Sequence, residues 1–112
     1  MSSPTPVVTI AKDKALLRSL VFTMEAYGFR VEQFQSWNAA KERTTAAEIL
    51  VLDGSLPATD IEACLALAGG KRTVLLADGD IGQSARKNVL VVQKPLSGPD
   101  IIAALNALRR NT

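Results

Sequence analysis

Short apolar runs alternate along this chain with stretches in which apolar residues recur at helical spacing. Four such runs, at 7–10, 49–52, 73–76 and 89–92, contain β-branched residues and are typical of buried strands. A fifth segment, 29–34, alternates apolar and polar residues and predicts another strand. Between the first two predicted strands, Leu16, Leu20 and Met24 mark one face of a helix. Strands that alternate with helices through short connections predict an α/β fold, in which a doubly wound parallel sheet is covered on both faces.

Local chemistry predicts where the helices begin and end. Asp13 and Ser36 are N-cap residue types, and Gly28 stands where the first helix should stop. Thr59, with Glu62 three residues later, matches a capping box. The first predicted helix follows Asp13, the second covers 37–43, and the third runs from the capping box to 69–70. A turn at 77–80 then leads to a short helix at 81–87. The last predicted helix opens at 97–100.

The overall composition narrows the class of protein. The 112 residues contain no internal repeat and no linker, so we expect one domain at 7–110 behind a flexible lead-in at 1–6. No apolar stretch approaches the ~18 residues that a membrane span needs, and the start lacks the pattern of a signal peptide. We therefore expect a cytoplasmic protein without membrane contact.

Charge and residue usage exclude several chemistries. Thirteen basic and eleven acidic residues give a net charge of +2 with no Lys/Arg run, which argues against nucleic acid as a partner. The absence of histidine removes imidazole metal sites, Ser-His and Cys-His nucleophile pairs, and any phosphohistidine role. The single cysteine, Cys64, cannot form an internal disulfide, and its apolar neighbours predict a buried side chain.

Two charged residues follow predicted strands and are the best candidates for function. Asp53 ends the third predicted strand, and Lys94 comes directly after the fifth. Because the carboxyl ends of parallel strands gather at one edge of an open sheet, this acid and this lysine can meet there.

Four segments in the right order resemble the receiver domain of bacterial two-component response regulators. Segment 24–31 is similar to the end of the family's first helix and its second strand, and segment 51–57 to the phosphoacceptor strand and its loop. Segment 77–81 follows strand four as in the subgroup related to nitrogen-fixation regulators. Segment 94–96 is similar to the family's Lys-Pro after strand five, where the peptide bond is usually cis. The resemblance extends from about Val7 to Leu108. It implies the flavodoxin-like fold of chemotaxis regulators, (βα)5 with a parallel five-stranded sheet in the order 2-1-3-4-5.

The resemblance also implies roles for the two charged residues. Asp53 corresponds to the aspartate that accepts a phosphoryl group from a partner kinase, and Lys94 to the lysine that contacts the phosphoryl oxygens. In the family, Mg²⁺ is held by the acceptor and an acidic pair after strand one.

This chain departs from the family at the metal site. Ala11 and Lys12 occupy the positions of the acidic pair, and Asp13 lies one place too far along, as a helix cap or a relocated metal ligand. Two lysines and one aspartate give the site a charge of +1, where three acids and one lysine would give −2. We therefore expect Mg²⁺ binding to be lost or weak and no cofactor. The ammonium of Lys12 can take the place of the metal and pair with Asp53, or extend into water.

The positions that switch the family between states also differ. Leu76 or Ala77 stands where the family has a Thr or Ser hydroxyl, and Val91 where it has a mobile aromatic residue. The predicted helix before Val89 is shorter than usual. These departures favour a receiver whose signal does not need phosphorylation.

Three hypotheses follow. The first is a stand-alone atypical receiver, a protein-interaction module of a phosphorelay that binds a histidine kinase or another response regulator and dimerises through strand five and the last two helices. The second is a working phosphoacceptor that catalyses its own phosphorylation at Asp53, with Lys12 replacing the metal. The third is a flavodoxin-like ligand binder, although the loop at 11–14 contains no glycine.

Overall fold

A computed structural model describes residues 6–68, 72–77, 89–94 and 98–110 and arranges them as a parallel sheet between helices. Its elements in chain order are β1 (Pro6–Ile10), α1 (Lys14–Ala26), β2 (Arg30–Phe34), α2 (Trp37–Ala40), a 3₁₀ turn (Thr44–Ala46), β3 (Ile49–Asp53), α3 (Ala58–Ala68), β4 (Arg72–Ala77), β5 (Val89–Gln93) and α4 (Gly98–Arg110). No helix of these ranges is both long enough and apolar enough to cross a membrane.

The order of the strands confirms the predicted fold class. All neighbours pair in parallel, in the order β2-β1-β3-β4-β5. In this register Ile10 lies opposite Leu52, and Asp53 lies opposite Leu76. The carboxyl ends of β1, β3 and β4 therefore lie side by side, which places Asp53 at the edge where α/β sheets bind ligands.

Two apolar cores cover the two faces of the sheet. In β3 the side chains of Ile49 and Val51 enter the core beneath α1 and α4, whereas Leu50 and Leu52 enter the core that includes α2 and α3. All four are fully buried. Each such side chain stabilises the fold by about 1.5–3 kcal/mol relative to exposure. A strand buried on both faces explains the continuous apolar run that the sequence shows.

The boundaries of α1 follow the predicted chemistry. The Asp13 carboxylate accepts a hydrogen bond from the Ala15 N–H at 2.9 Å, which confirms the N-cap. At the other end, Gly28 has a φ of 91°, and the Phe29 N–H donates to the Met24 carbonyl at 3.1 Å. This is a Schellman ending, in which glycine accommodates the left-handed backbone and the chain enters β2.

The second helix is shorter than the predicted 37–43. Ser36 caps it as expected, since its hydroxyl accepts from the Ala39 N–H at 3.2 Å, but α2 ends at Ala40. The Thr44 hydroxyl donates to the Lys41 carbonyl at 2.7 Å, and the chain tightens into the 3₁₀ turn. Hydroxyl groups that bind nearby carbonyls compete with the helical hydrogen bonds, which explains the early stop.

The predicted capping box at Thr59 is wrong, because α3 begins at Ala58 and Thr59 is already its second residue. The Pro57 carbonyl accepts hydrogen bonds from the N–H groups of Asp60 at 2.9 Å and Ile61 at 3.1 Å. The proline therefore opens the helix. The predicted turn beyond Ala77, the helix at 81–87 and the glycines at 69–70 lie outside the described residues.

The buried hydroxyl of Thr9 leads to a prediction about the free energy of unfolding of the protein. Thr9 is fully buried in β1, and in the described part of the chain its hydroxyl has no hydrogen-bond partner. An unsatisfied buried hydroxyl costs free energy, so we expect Thr9→Val to raise the free energy of unfolding by about 1 kcal/mol. Urea denaturation of both proteins measures this difference.

Thr44→Val provides the matched control for that measurement. Thr44 is also buried, but its hydroxyl donates to the Lys41 carbonyl. Its loss should lower the free energy of unfolding by about 1 kcal/mol. If Thr9→Val destabilises the protein as much as Thr44→Val does, the Thr9 hydroxyl is satisfied and the interpretation is wrong.

Candidate functional site

The carboxylate of Asp53 is buried at the end of β3 and is bound through both of its oxygens. Only 2% of its side chain is exposed. Lys94 Nζ donates to Asp53 Oδ1 at 2.5 Å, as does the Ser55 N–H at 3.1 Å. The Ser55 hydroxyl donates to Oδ2 at 2.7 Å. The acid and the lysine thus meet above one sheet edge, although 41 residues separate them in the chain.

The backbone of β4 holds the two segments that carry this pair. The Gly54 N–H donates to the Leu76 carbonyl at 2.7 Å, and the Lys94 N–H donates to the Ala77 carbonyl at 2.8 Å. These bonds extend the parallel pairing by one residue on each side of β4. They place Asp53 and Lys94 on either side of β4 at the same edge of the sheet, and the lysine side chain spans the remaining distance.

Burial and hydrogen bonding act on the acidity of Asp53 in opposite directions. Burial alone would raise the pKa of the Asp53 carboxyl, because a charged group loses its hydration. The hydrogen bonds from Lys94 and Ser55 outweigh burial and lower the pKa below its usual range. Asp53 is therefore ionised at neutral pH, with its charge balanced by the Lys94 ammonium.

This lowered pKa predicts how stability depends on pH. The carboxyl has a lower pKa in the folded state than in the unfolded chain, so its contribution is full above the unfolded value and disappears as pH falls through the folded one. We expect the free energy of unfolding of the Asp53→Asn variant to be about 2 kcal/mol lower than that of the unmodified protein near neutral pH. The difference should shrink below about pH 4.

Urea denaturation of both proteins at a series of pH values measures this difference. A difference that widened as the pH fell would contradict the lowered pKa. The Asn variant is a suitable reference because it keeps the size of the side chain and removes only the titrating charge.

Lys12 lies apart from this pair. It is exposed, and its backbone carbonyl accepts a hydrogen bond from Gln35 Nε2 at 2.9 Å. Within the described ranges, its ammonium forms no ion pair with Asp53, whose charged partner is Lys94. Lys12 as a surrogate for the metal therefore stays a prediction.

The residues at this edge do not match the ligand set of Mg²⁺. Ala11 is fully buried and offers a methyl group, while its N–H donates to the Phe34 carbonyl at 3.1 Å. Asp13 caps α1 with its carboxylate. Across the residues that the structure describes, no three acidic or thiol side chains come together. A hard cation prefers several oxygen ligands, so the described residues at this edge do not fit Mg²⁺.

The predicted switch positions lie on β4, the strand next to Asp53, and on β5, the strand that precedes Lys94. Leu76 and Ala77 are fully buried at the end of β4 and act through their carbonyls. Val91 is on β5 and is 40% exposed. None of these three side chains carries a hydroxyl or an aromatic ring.

The sequence interpretation missed Ser55, which contacts both oxygens of Asp53. A detectable signal existed, since an aspartate followed two residues later by a serine often forms an Asx turn. Cys64 was predicted correctly. It is buried, and burial raises the pKa of its thiol to about 11, which keeps it unreactive.

Comparisons with known proteins agree with the architecture. No family model matches the chain. The Transcriptional regulator protein FixT of Rhizobium meliloti (strain 1021) is 25% identical over 104 residues, which cover 91% of this chain and 90% of that protein.

Solved structures show the same fold. A putative response regulator from Chloroflexus aurantiacus superposes with a TM-score of 0.82 at 19% identity, covering 97% of this chain and 100% of the other. A response regulator receiver domain from Methanospirillum hungatei gives 0.79 at 17% identity, with 96% of each chain covered. The fold is thus that of receiver domains.

Proposed function

We propose that this chain, which has the fold of response regulator receiver domains, is an atypical receiver in two-component (phosphorelay) signalling. It acts as a protein-interaction module and does not depend on phosphorylation of Asp53. The observation that carries this proposal is the state of the Asp53 carboxylate, which is buried and bound by Lys94 and Ser55 through both oxygens.

The chemistry of phosphoryl transfer explains why this state matters. An acceptor oxygen must reach the phosphorus atom, and cations must balance the charge that spreads over the phosphoryl oxygens. Here a hydrogen bond from Ser55 covers Oδ2, and Lys94 covers Oδ1. The positions that would add metal ligands hold Ala11 and Lys12. A phosphoryl donor would have to displace these hydrogen bonds without the help of a bound divalent cation.

The alternative is a working phosphoacceptor. It rests on Lys94, whose ammonium lies 2.5 Å from Asp53 Oδ1 and would contact a phosphoryl group on that carboxylate. Incubation with acetyl phosphate, with and without Mg²⁺, followed by intact-mass measurement separates the two functions. We expect no gain of a phosphoryl group, while a receiver with a complete acidic pair gains one in parallel. A gain that disappears in Asp53→Asn would establish the alternative.

The partner surface that we propose is formed by β5 and α4. Leu90 and Val91 are 37% and 40% exposed on β5, which lies at one end of the strand order. An apolar edge strand tends to pair with another protein. We propose that this face binds a second copy of the chain, and that the resulting module binds a histidine kinase or another response regulator. The segment at 81–88, next to β5 in sequence, lies outside the described residues.

Sedimentation velocity over a range of concentrations tests the dimer. We expect Leu90→Lys with Val91→Lys to convert a dimer into a monomer, because lysine on an edge strand opposes pairing. Phe22→Lys is the control, since Phe22 is a 77% exposed apolar residue that belongs to α1 and to neither β5 nor α4. A monomer at every concentration, or a dimer that survives the double substitution, would rule out this interface.

A further inference from the structure

A polar groove opens at the carboxyl end of β2, outside the site of Asp53. It has a volume of about 530 Å³, and Lys14 and Arg18 of α1 line one side of it. Gln33, Gln35 and Ser36 line the other side, at the end of β2 and the start of α2. The volume falls in the range of small-molecule sites.

Among the residues that the structure describes, the two cations of the groove have no acidic partner. Lys14 and Arg18 lie one helical turn apart on α1, where like charges repel each other. Over the described ranges, neither forms an ion pair. Two acids adjacent in sequence to the groove lining are engaged elsewhere, since Asp13 caps α1 and Glu32 binds Arg43 at 2.6 Å. An anion between the two cations would relieve their repulsion.

The remaining lining adds directional hydrogen bonds and an apolar wall. The Ser36 hydroxyl accepts from the Ala39 N–H, so its own proton is left to donate. Gln35 Nε2 donates to the Lys12 carbonyl, which fixes this amide at the rim and leaves it a second N–H. Half-buried Phe34 supplies apolar surface between the two glutamines.

From this geometry we propose that the groove binds a small anionic molecule, with a phosphoryl or carboxylate group between Lys14 and Arg18. The groove opens on the side of the sheet where the strands have their carboxyl ends, which is the side on which α/β sheets bind ligands. β1 separates β2 from β3, so the groove is distinct from the Asp53 site. The proposal therefore goes beyond the signalling function and does not depend on it.

Titration with pyrophosphate and, separately, with citrate at constant ionic strength tests the proposal. Trp37, the only tryptophan, directly follows Ser36 and reports by fluorescence, while the amide resonances of Gln35 and Ser36 report by NMR. We expect a saturable response confined to the groove. The two titrations distinguish a phosphoryl ligand from a carboxylate ligand, and a response to either supports the site.

Two matched double variants decide whether the groove cations are responsible. Lys14→Gln with Arg18→Gln should weaken binding by about tenfold, because it removes two charge-assisted contacts. Arg30→Gln with Lys41→Gln removes the same charge from exposed positions outside the groove lining, and should change binding by less than about twofold. Equal weakening by both variants, or no saturable response in the unmodified protein, would overturn the proposal.

Discussion

Replacing Lys94 with methionine should lower the free energy of unfolding by about 3 kcal/mol at neutral pH. The substitution keeps most of the apolar stem and removes the ammonium, so the buried charge of Asp53 has only the hydrogen bonds from Ser55. A buried charge without its counterion costs far more than an exposed one. Urea denaturation at pH 7 measures the loss.

The pH dependence of the same variant should reverse. Without Lys94, burial is expected to dominate and to raise the pKa of the Asp53 carboxyl above its unfolded value. A group with a raised pKa gives stability to the protein as pH falls through that value, so Lys94→Met should become more stable from pH 7 toward pH 4.

Asp53→Asn combined with Lys94→Met is the control, because it removes both charges. It should regain most of the stability that Lys94→Met loses, and its stability should not depend on this titration. If the single and double variants were equally unstable, the loss would come from packing of the lysine stem, and the buried charge would not be its cause.

Placing acids at the two positions after β1 should create a binding site for Mg²⁺. In Ala11→Asp with Lys12→Asp, the register of β1 with β3 sets position 11 beside Asp53. Three carboxylates then repel one another, which should lower the free energy of unfolding by about 2 kcal/mol without metal. Saturating Mg²⁺ should raise the melting temperature of this variant by about 10 °C.

Thermal melting in MgCl₂ and in NaCl of equal ionic strength measures that gain. The triple variant that also carries Asp53→Asn is the control, and its gain should be much smaller because it lacks one carboxylate ligand. If the double variant folds but its melting temperature does not change with Mg²⁺, position 11 does not face Asp53. The assignment of this edge to the receiver metal site would then lose its main support.

The sequence predicted the elements whose determinants are local or periodic. The four apolar runs and the alternating segment at 29–34 became the five strands, and Asp13 and Gly28 set the ends of α1 through hydrogen bonds to nearby backbone. Prediction failed where two local signals compete. Pro57 opens α3 ahead of the capping box at Thr59.

The candidate site was predictable to the extent that strand order determines it. Asp53 and Lys94 meet because a parallel sheet brings the ends of its strands together. Turn chemistry could have identified Ser55, which donates to Asp53, but the conformation of a long side chain such as that of Lys12 follows from no sequence pattern. Lys12 is exposed in the structure.

The distance in sequence between Asp53 and Lys94 has a consequence for the assembly of the protein. Their contact closes a loop of 41 residues across β4, so it requires β3, β4 and the end of β5 to be in place together. Such long-range closures are slow and come after local helices and turns in folding. A nascent or truncated chain that lacks β5 and Lys94 therefore lacks the counterion that Asp53 has in the folded sheet.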